Sequence, residues 1–383
     1  MTKRIYLDAH ATTPVDPHVL EAMLPYFREE FGNPASRNHA FGWDAEKAVA
    51  KGREQAAELI GASPREIVFT SGATESNNLA LKGAARAFQG KRDHIVSCVT
   101  EHRAVLDPLE RLAKEGFRVT LLPVGIDGML DLDRLRDVVD ETTLMVSLMA
   151  ANNEIGVLHP IRQIGRIVRE AGAIFHVDAA QALGKIPLDV EQDEIDLLSA
   201  TAHKLYGPKG CGLLYVRRRG KRVEIQPQMD GGGHERGMRS GTLNVPGIVG
   251  LGAACARCAE KMESESLFQA TLRDRLFEGL STIGGVHWNG AKEPRLPNNL
   301  NVSFAGIDGE TLLMALDDIA VSSGSACTSA EPKPSHVLRA LGVPDKLAHA
   351  SLRFGLHRWT TADDVDYAVD KVSAIVKRLR AGA

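Results

Sequence analysis

The stretch Ser199-Ala-Thr-Ala-His-Lys-Leu-Tyr-Gly-Pro-Lys-Gly-Cys-Gly212 sets one lysine, Lys204, among small and turn-forming residues. An apolar run, Leu213-Leu-Tyr-Val216, follows directly, and upstream another run, Ala173-Ile-Phe-His-Val177, ends in Asp178-Ala-Ala-Gln181. A strand ending in an acid, with a lysine at a second strand–turn junction, suits pyridoxal phosphate. That group needs an amine for its Schiff base and a carboxylate to keep its ring nitrogen protonated. A surface lysine in a loop is the alternative that this window leaves open.

Five further stretches carry chemically able residues. Thr70-Ser-Gly-Ala-Thr-Glu-Ser76 joins a predicted strand to a helix, where free backbone N–H groups and the hydroxyl of Thr74 suit a phosphate. Plain helix capping would use the same residues. His102, in Thr100-Glu-His102, could stack on a flat ring or move protons, or be structural. Gly231-Gly-Gly-His-Glu-Arg-Gly-Met-Arg-Ser-Gly-Thr242 is a glycine-dense, basic loop suited to an anion or a subunit contact. Ser322-Ser-Gly-Ser-Ala-Cys-Thr-Ser-Ala-Glu-Pro-Lys-Pro-Ser335 reads as a pliable arm with Cys327 at its middle, a candidate nucleophile rather than a buried thiol. Arg353, inside the apolar run Ser351-Leu-Arg-Phe354, calls for an anion, and a substrate carboxylate is its bidentate match.

The elements that must position these residues alternate. Strands are predicted at 5–7, 67–69, 94–97, 118–122 and 144–149, and helices at 17–31, 43–60, from 76 to 87, 131–139 and 163–170. Strands alternating with helices give a doubly wound, mostly parallel α/β sheet, whose ligands gather at the carboxyl ends of the strands. The polar clusters at 70–77, 100–102, 152–154, 178–181 and 201–204 fall at such ends. After about residue 260 the pattern changes. A large domain over 15–260 and a smaller α+β domain made of 1–14 and 261–383 are expected, with a last helix near 364–379.

Bulk properties narrow the classes. The 383 residues carry a net charge of −3, with 44% hydrophobic and 25% charged residues, which excludes a basic nucleic-acid footprint. No apolar run approaches the roughly 20 residues of a membrane span, and the N-terminus has no apolar stretch of signal-sequence length. Cys98, Cys211, Cys255, Cys258 and Cys327 are odd in number and scattered, which fits a reducing cytoplasm better than a disulfide framework. Cys255-Ala-Arg-Cys258 lacks a second pair of ligands nearby, so no metal site is expected.

Taken in order, these motifs, with Leu7-Asp8, Ala11-Thr-Thr-Pro14, Gly32-Asn-Pro-Ala-Ser36, Asn152-Asn-Glu-Ile-Gly156 and His176-Val-Asp178, resemble one family nearly end to end. The chain is similar to the cysteine desulfurases of the iron–sulfur-assembly type, class V aminotransferases with the aspartate-aminotransferase fold. The resemblance implies that Lys204 bonds pyridoxal 5'-phosphate and moves protons, that Asp178 pairs with the ring nitrogen and that His102 stacks on the ring. Asn153 and Gln181 would lie near the phenolic oxygen. Ala73, Thr74, Thr201 and His203 would hold the phosphate, and Thr242 would reach that of a neighbouring subunit in a homodimer. Arg353, with Asn153 and Asn33, would hold the carboxylate of L-cysteine. Cys327 would accept sulfur as a persulfide and pass it to an acceptor protein, a cluster scaffold or a thiolation enzyme.

Three features depart from the family pattern. Thr201 stands where relatives have Ser, and Glu331-Pro-Lys-Pro334 differs just past Cys327, where Lys333 could tune acceptor choice. Longer relatives carry a tail that helps to dock a cluster scaffold, and the part of the chain ending at Ala383 does not match it. Readings that stay open are a selenocysteine lyase or aminotransferase on the same fold, and a non-enzymatic sulfur-relay protein. An aminotransferase has no need of Cys327, and Lys204, Asp178 and Cys327 together speak against a relay.

Overall fold

A computed structural model describes residues 4–323 and 334–382. In chain order it contains β1 (Ile5–Tyr6), α1 (Pro17–Met23), α2 (Pro25–Arg28), α3 (Ala40–Glu58), β2 (Ile67–Thr70), α4 (Ala73–Ala87), β3 (His94–Cys98) and α5 (Arg103–Lys114). There follow β4 (Arg118–Leu122), α6 (Leu132–Val138), β5 (Thr143–Met149), α7 (Ile161–Glu170), β6 (Ile174–Asp178), β7 (Leu197–Thr201), β8 (Gly212–Val216) and α8 (Val245–Ser281). The remainder is β9 (Val286–Trp288), β10 (Asn299–Phe304), α9 (Gly309–Ala315), β11 (Ile319–Ala320), α10 (His336–Ala340), α11 (Asp345–His349), β12 (Ser351–Gly355) and α12 (Ala362–Ala381).

The central sheet has seven strands in the order β2-β8-β7-β6-β5-β3-β4. It is parallel from β7 to β4, and only β8 runs antiparallel to its neighbours β7 and β2. Strands covered on both faces are largely apolar, and the polar side chains they bury need hydrogen-bond partners. Accordingly every residue of β5, β6, β7 and β8 is buried, while the edge strand β4 is not. The doubly wound α/β architecture matches the expectation from alternation.

Local departures have simple causes. The predicted helix 17–31 is two helices, because Pro25 has no N–H to continue α1 and instead starts α2. Helix α3 starts before residue 43, since His39 accepts a hydrogen bond from the Gly42 N–H and caps it there.

Helix α8 spans two apolar clusters. Val245, Ile248, Leu251, Cys255 and Cys258 pack into the core on one face of the large sheet. Leu272, Leu276 and Leu280 pack instead with β10, β12 and α12. There β9, β10 and β12 form an antiparallel sheet in the order β12-β10-β9, and β1 pairs in parallel with β11.

Arg358, just after β12, ties these parts together. Its guanidinium donates to Asp16 at 2.5 Å and Glu265 at 3.1 Å, and lies 3.8 Å from the centre of the Tyr206 ring. Both Arg358 and Asp16 are buried, so removing the cation strands a carboxylate in a dry site. Arg358→Met is therefore expected to destabilise the apoprotein by about 3–5 kcal/mol in urea unfolding, against less than ~1 kcal/mol for exposed Arg136→Met.

Candidate functional site

Parallel register puts Met149, Asp178 and Ser199 abreast at the carboxyl ends of β5, β6 and β7. Two residues past Ser199, β7 stops and the chain makes a tight turn, Ala202–Lys204, with Leu205 and Gly207 N–H both donating to the Ala202 carbonyl. Gly210 completes the reversal at φ +76°, a conformation that a side chain would strain, and the chain returns as β8. The turn leaves Lys204 half-buried, with its Nζ donating to the His10 carbonyl. Gln181 Nε2 donates to the same carbonyl at 3.0 Å, so Lys204 and Gln181 meet on the N-terminal segment.

Asp178 is buried, and its carboxylate is held from two sides. Asn77 Nδ2 of α4 donates to Oδ2 at 2.7 Å, and Ala180 N–H donates to Oδ1 at 2.9 Å. The Asn77 carbonyl oxygen is itself buried without a hydrogen-bond partner among the described residues. His102 caps α5 by accepting from Ala104 N–H at its Nδ1, which leaves Nε2 to carry the proton of the neutral ring. Desolvation lowers its pKa, and the Asp178 carboxylate opposes this while Lys204 adds to it, so all three groups share one field. His176, by contrast, is a core residue joining Ser147 to Ser199 across three strands; burial pushes its pKa down to about 3.

The start of α4 faces the same edge. Its cap, Gly72, has φ +155° and no side chain caps the helix, so the first N–H groups lack a covering oxygen of that kind. A Cβ on Gly72 would lie 3.5 Å from Thr201 Oγ1, which places the buried Thr201 hydroxyl against this cradle. Ala73 and Thr74 form the first turn, Ala73 half-buried and Thr74 exposed. His203 shares a hydrogen bond with Thr12, and burial, helped by Lys204, lowers its pKa to about 4. An uncapped helix start with a hydroxyl beside it fits a phosphate, and an amine with a fixed buried carboxylate fits the ring of pyridoxal phosphate.

A second pole lies at Arg353 on β12. Its Nη1 donates to the Asn153 carbonyl at 2.9 Å and its Nη2 to Asp8 Oδ1 at 3.0 Å. Its Nε is buried without a partner among the described residues, as is Asn153 Oδ1. Unused donors on a buried guanidinium suit a carboxylate. Asn33 is exposed and accepts from its own turn at Ala35 N–H; no hydrogen bond joins it to Arg353. Thr242 is exposed on the loop before α8, and among the described residues no hydrogen bond links it to the other candidates. Cys327 lies outside the described residues.

Sequence reasoning assigned no role to His10, Asn77, Asp8 or Lys185, a buried lysine whose Nζ donates to Gln181 Oε1 at 3.2 Å. Asn77 carried the clearest signal, an amide on the buried face of an alanine-rich helix. His10 and Asp8 had only their place in a polar turn, since long-range pairing is invisible in local pattern.

Residues 5–368 match the class V aminotransferase family, and the chain belongs to that family. It is 58% identical over 377 residues to the cysteine desulfurase IscS of Anaeromyxobacter sp. (strain K), covering 98% of this chain and 93% of that one. The structure of a NifS-like protein superposes with a TM-score of 0.92 at 42% identity, covering 98% of this chain and all 100% of the other. A structure of SspA in complex with cysteine aligns with a TM-score of 0.82 at 36% identity, covering 93% of this chain and 100% of its own. The cofactor of this family branch is pyridoxal 5'-phosphate, in keeping with the amine, carboxylate and helix start described above.

Losing the Asn77 amide leaves a buried carboxylate oxygen of Asp178 without its donor. Asn77→Ala is expected to cost the apoprotein about 1.5–3 kcal/mol in urea unfolding and to speed loss of the visible chromophore on dialysis of the holoenzyme.

Proposed function

We infer that this chain is a pyridoxal-phosphate-dependent cysteine desulfurase, which removes the sulfur of L-cysteine and leaves L-alanine. The observation that carries the reading is the convergence of Lys204, Asp178 and the uncapped start of α4 on one sheet edge. When bound, the cofactor supplies an electron sink that lets the substrate Cα proton leave. In this reading Lys204 holds the cofactor and then carries that proton on Nζ. Asp178 keeps a proton on the ring nitrogen, His102 covers the ring, and Asn153 and Gln181 set its orientation. Ala73, Thr74, Thr201 and His203 hold the phosphate, and Arg353, helped by Asn153 and Asn33, orients the substrate carboxylate.

The thiol that takes the sulfur is Cys327. Cys98, Cys211, Cys255 and Cys258 are all buried free thiols, and burial raises their pKa values, to about 11 for Cys98 and Cys258 and about 12 for Cys211. Such thiols are poor nucleophiles. The Cys327 thiolate forms an S–S bond as the substrate Cβ–S bond breaks, leaving a persulfide for a protein acceptor in iron–sulfur assembly or thiolation.

The active form in this reading is a cytoplasmic homodimer, in which Thr242 serves the neighbouring subunit's phosphate. Exposed apolar side chains favour it: Leu20, Leu24, Phe27, Phe31, Phe41 and Trp43 are each exposed between α1 and the start of α3, and the rings of Phe31 and Phe41 lie 5.5 Å apart. Patches of this kind mark interfaces. Among the described residues no helix is long and apolar enough to cross a membrane. The change of apolar cluster along α8 favours a division into 15–260 and 1–14 with 261–383.

Alanine release from L-cysteine plus a reducing agent tests the reading. Lys204→Ala and Cys327→Ala are each expected to lose at least about a hundredfold in rate. Full activity of Cys327→Ala would remove the persulfide step. A double variant, Phe27→Glu with Phe41→Glu, is expected to halve the mass seen by sedimentation; an unchanged mass would place the interface elsewhere.

A further inference from the structure

Arg353 already has a carboxylate beside it. Asp8, just after β1, forms a bridge with Gly355 at the end of β12. Its Oδ1 accepts from Arg353 Nη2 at 3.0 Å and from Ser322 Oγ at 2.8 Å. Ser322 and Arg353 also exchange backbone hydrogen bonds, at 3.3 and 2.7 Å, so the serine that steadies Asp8 is bridged to the arginine's strand. The side chains are only 12% and 17% exposed for Arg353 and Asp8, so solvent screens the pair weakly.

Other charged groups face Arg353 but are not ion-paired with it among the described residues. Glu154 lies close enough to feel the guanidinium, yet burial pushes its carboxyl up to about 7. Lys185 and His10 sense it as a like charge, and Tyr6 senses both Asp8 and Arg353. Asp8 is thus the fixed counter-ion of the pocket.

A fixed negative charge at a carboxylate-binding arginine has a cost for the ligand. It turns the guanidinium's fork, but it also cancels part of the potential that draws a second carboxylate. L-Cysteine and L-alanine share the same amine and α-carboxylate, so grip at Arg353 holds substrate and product alike. Such uniform binding lowers KM without speeding the chemical step, and it slows product departure. We propose that Asp8 is a positioning residue that orients Arg353 and, by its charge, loosens that arginine's hold on the α-carboxylate common to substrate and product. This rests on Arg353 being the carboxylate site.

The test is the affinity of the cofactor-loaded enzyme for L-alanine, measured by equilibrium dialysis at low ionic strength, in three variants. Asp8→Asn keeps an oxygen to accept from Arg353 and Ser322 but removes the charge. Asp8→Ala removes both, and Arg353→Ala removes the site. Asp8→Asn is expected to bind L-alanine about tenfold more tightly than wild type, with a fall in KM for L-cysteine and no rise in kcat. Asp8→Ala is expected to bind less tightly than Asp8→Asn, because Arg353 is no longer oriented. A residue with only a structural role would weaken binding in both. Equal or weaker binding by Asp8→Asn, with Arg353→Ala at least about tenfold weaker than wild type, overturns the role of Asp8 alone. Wild-type affinity in Arg353→Ala overturns the carboxylate site and this inference with it.

Discussion

The site depends on the parallel register of β5, β6 and β7. Because Met149, Asp178 and Ser199 lie abreast, the three strands end at one level, and whatever follows them is delivered to one edge. A slip of one residue in β6 would turn Asp178 to the other face of the sheet and His176 out of its bonds to Ser147 and Ser199. The apolar cover on both faces holds that register, since every residue of these strands is buried. The turn after β7 then converts a strand end into an amine aimed at the His10 carbonyl.

On this scaffold the polar groups are kept by neutral hydrogen-bond partners rather than by mutual ion pairing. Asp178 is held by an amide and a backbone N–H, and Gln181 and Lys204 meet on a backbone carbonyl. A carboxylate held by neutral donors stays available to a cationic ring nitrogen, whereas a lysine or arginine partner would compete for it. The orphaned atoms Asn77 Oδ1, Asn153 Oδ1 and Arg353 Nε mark where further hydrogen bonds can form. Arg353 is the exception to neutral holding, and its pairing with Asp8 joins the first strand of the chain to its last.

Much of this was legible in the residues. Alternating apolar runs specify the parallel sheet because fully covered strands leave no room for a polar face, and strand ends are where polar residues then stand out. Lys204, Asp178, Thr201 and His102 were found that way. What local pattern missed is pairing over long distances. His10 lies 194 residues before Lys204 in the chain, and nothing in Asp8-Ala-His10 announces that its carbonyl receives that lysine. The split of the helix predicted at 17–31 was readable from Pro25 alone. The side-by-side placement of Asp8 and Arg353 was not, because it arises from β1 and β12 meeting at Asp8 and Gly355.

The central claim is that sulfur leaves L-cysteine for one particular thiol. Mass spectrometry of peptides from the purified holoenzyme, after brief exposure to L-cysteine without a reducing agent, tests it most directly. One additional sulfur atom on the peptide containing Cys327, in step with alanine formed and absent from the peptides of Cys98, Cys211, Cys255 and Cys258, is the expected result. Alanine formed with no sulfur on Cys327, or with the sulfur on one of the buried cysteines, would contradict it.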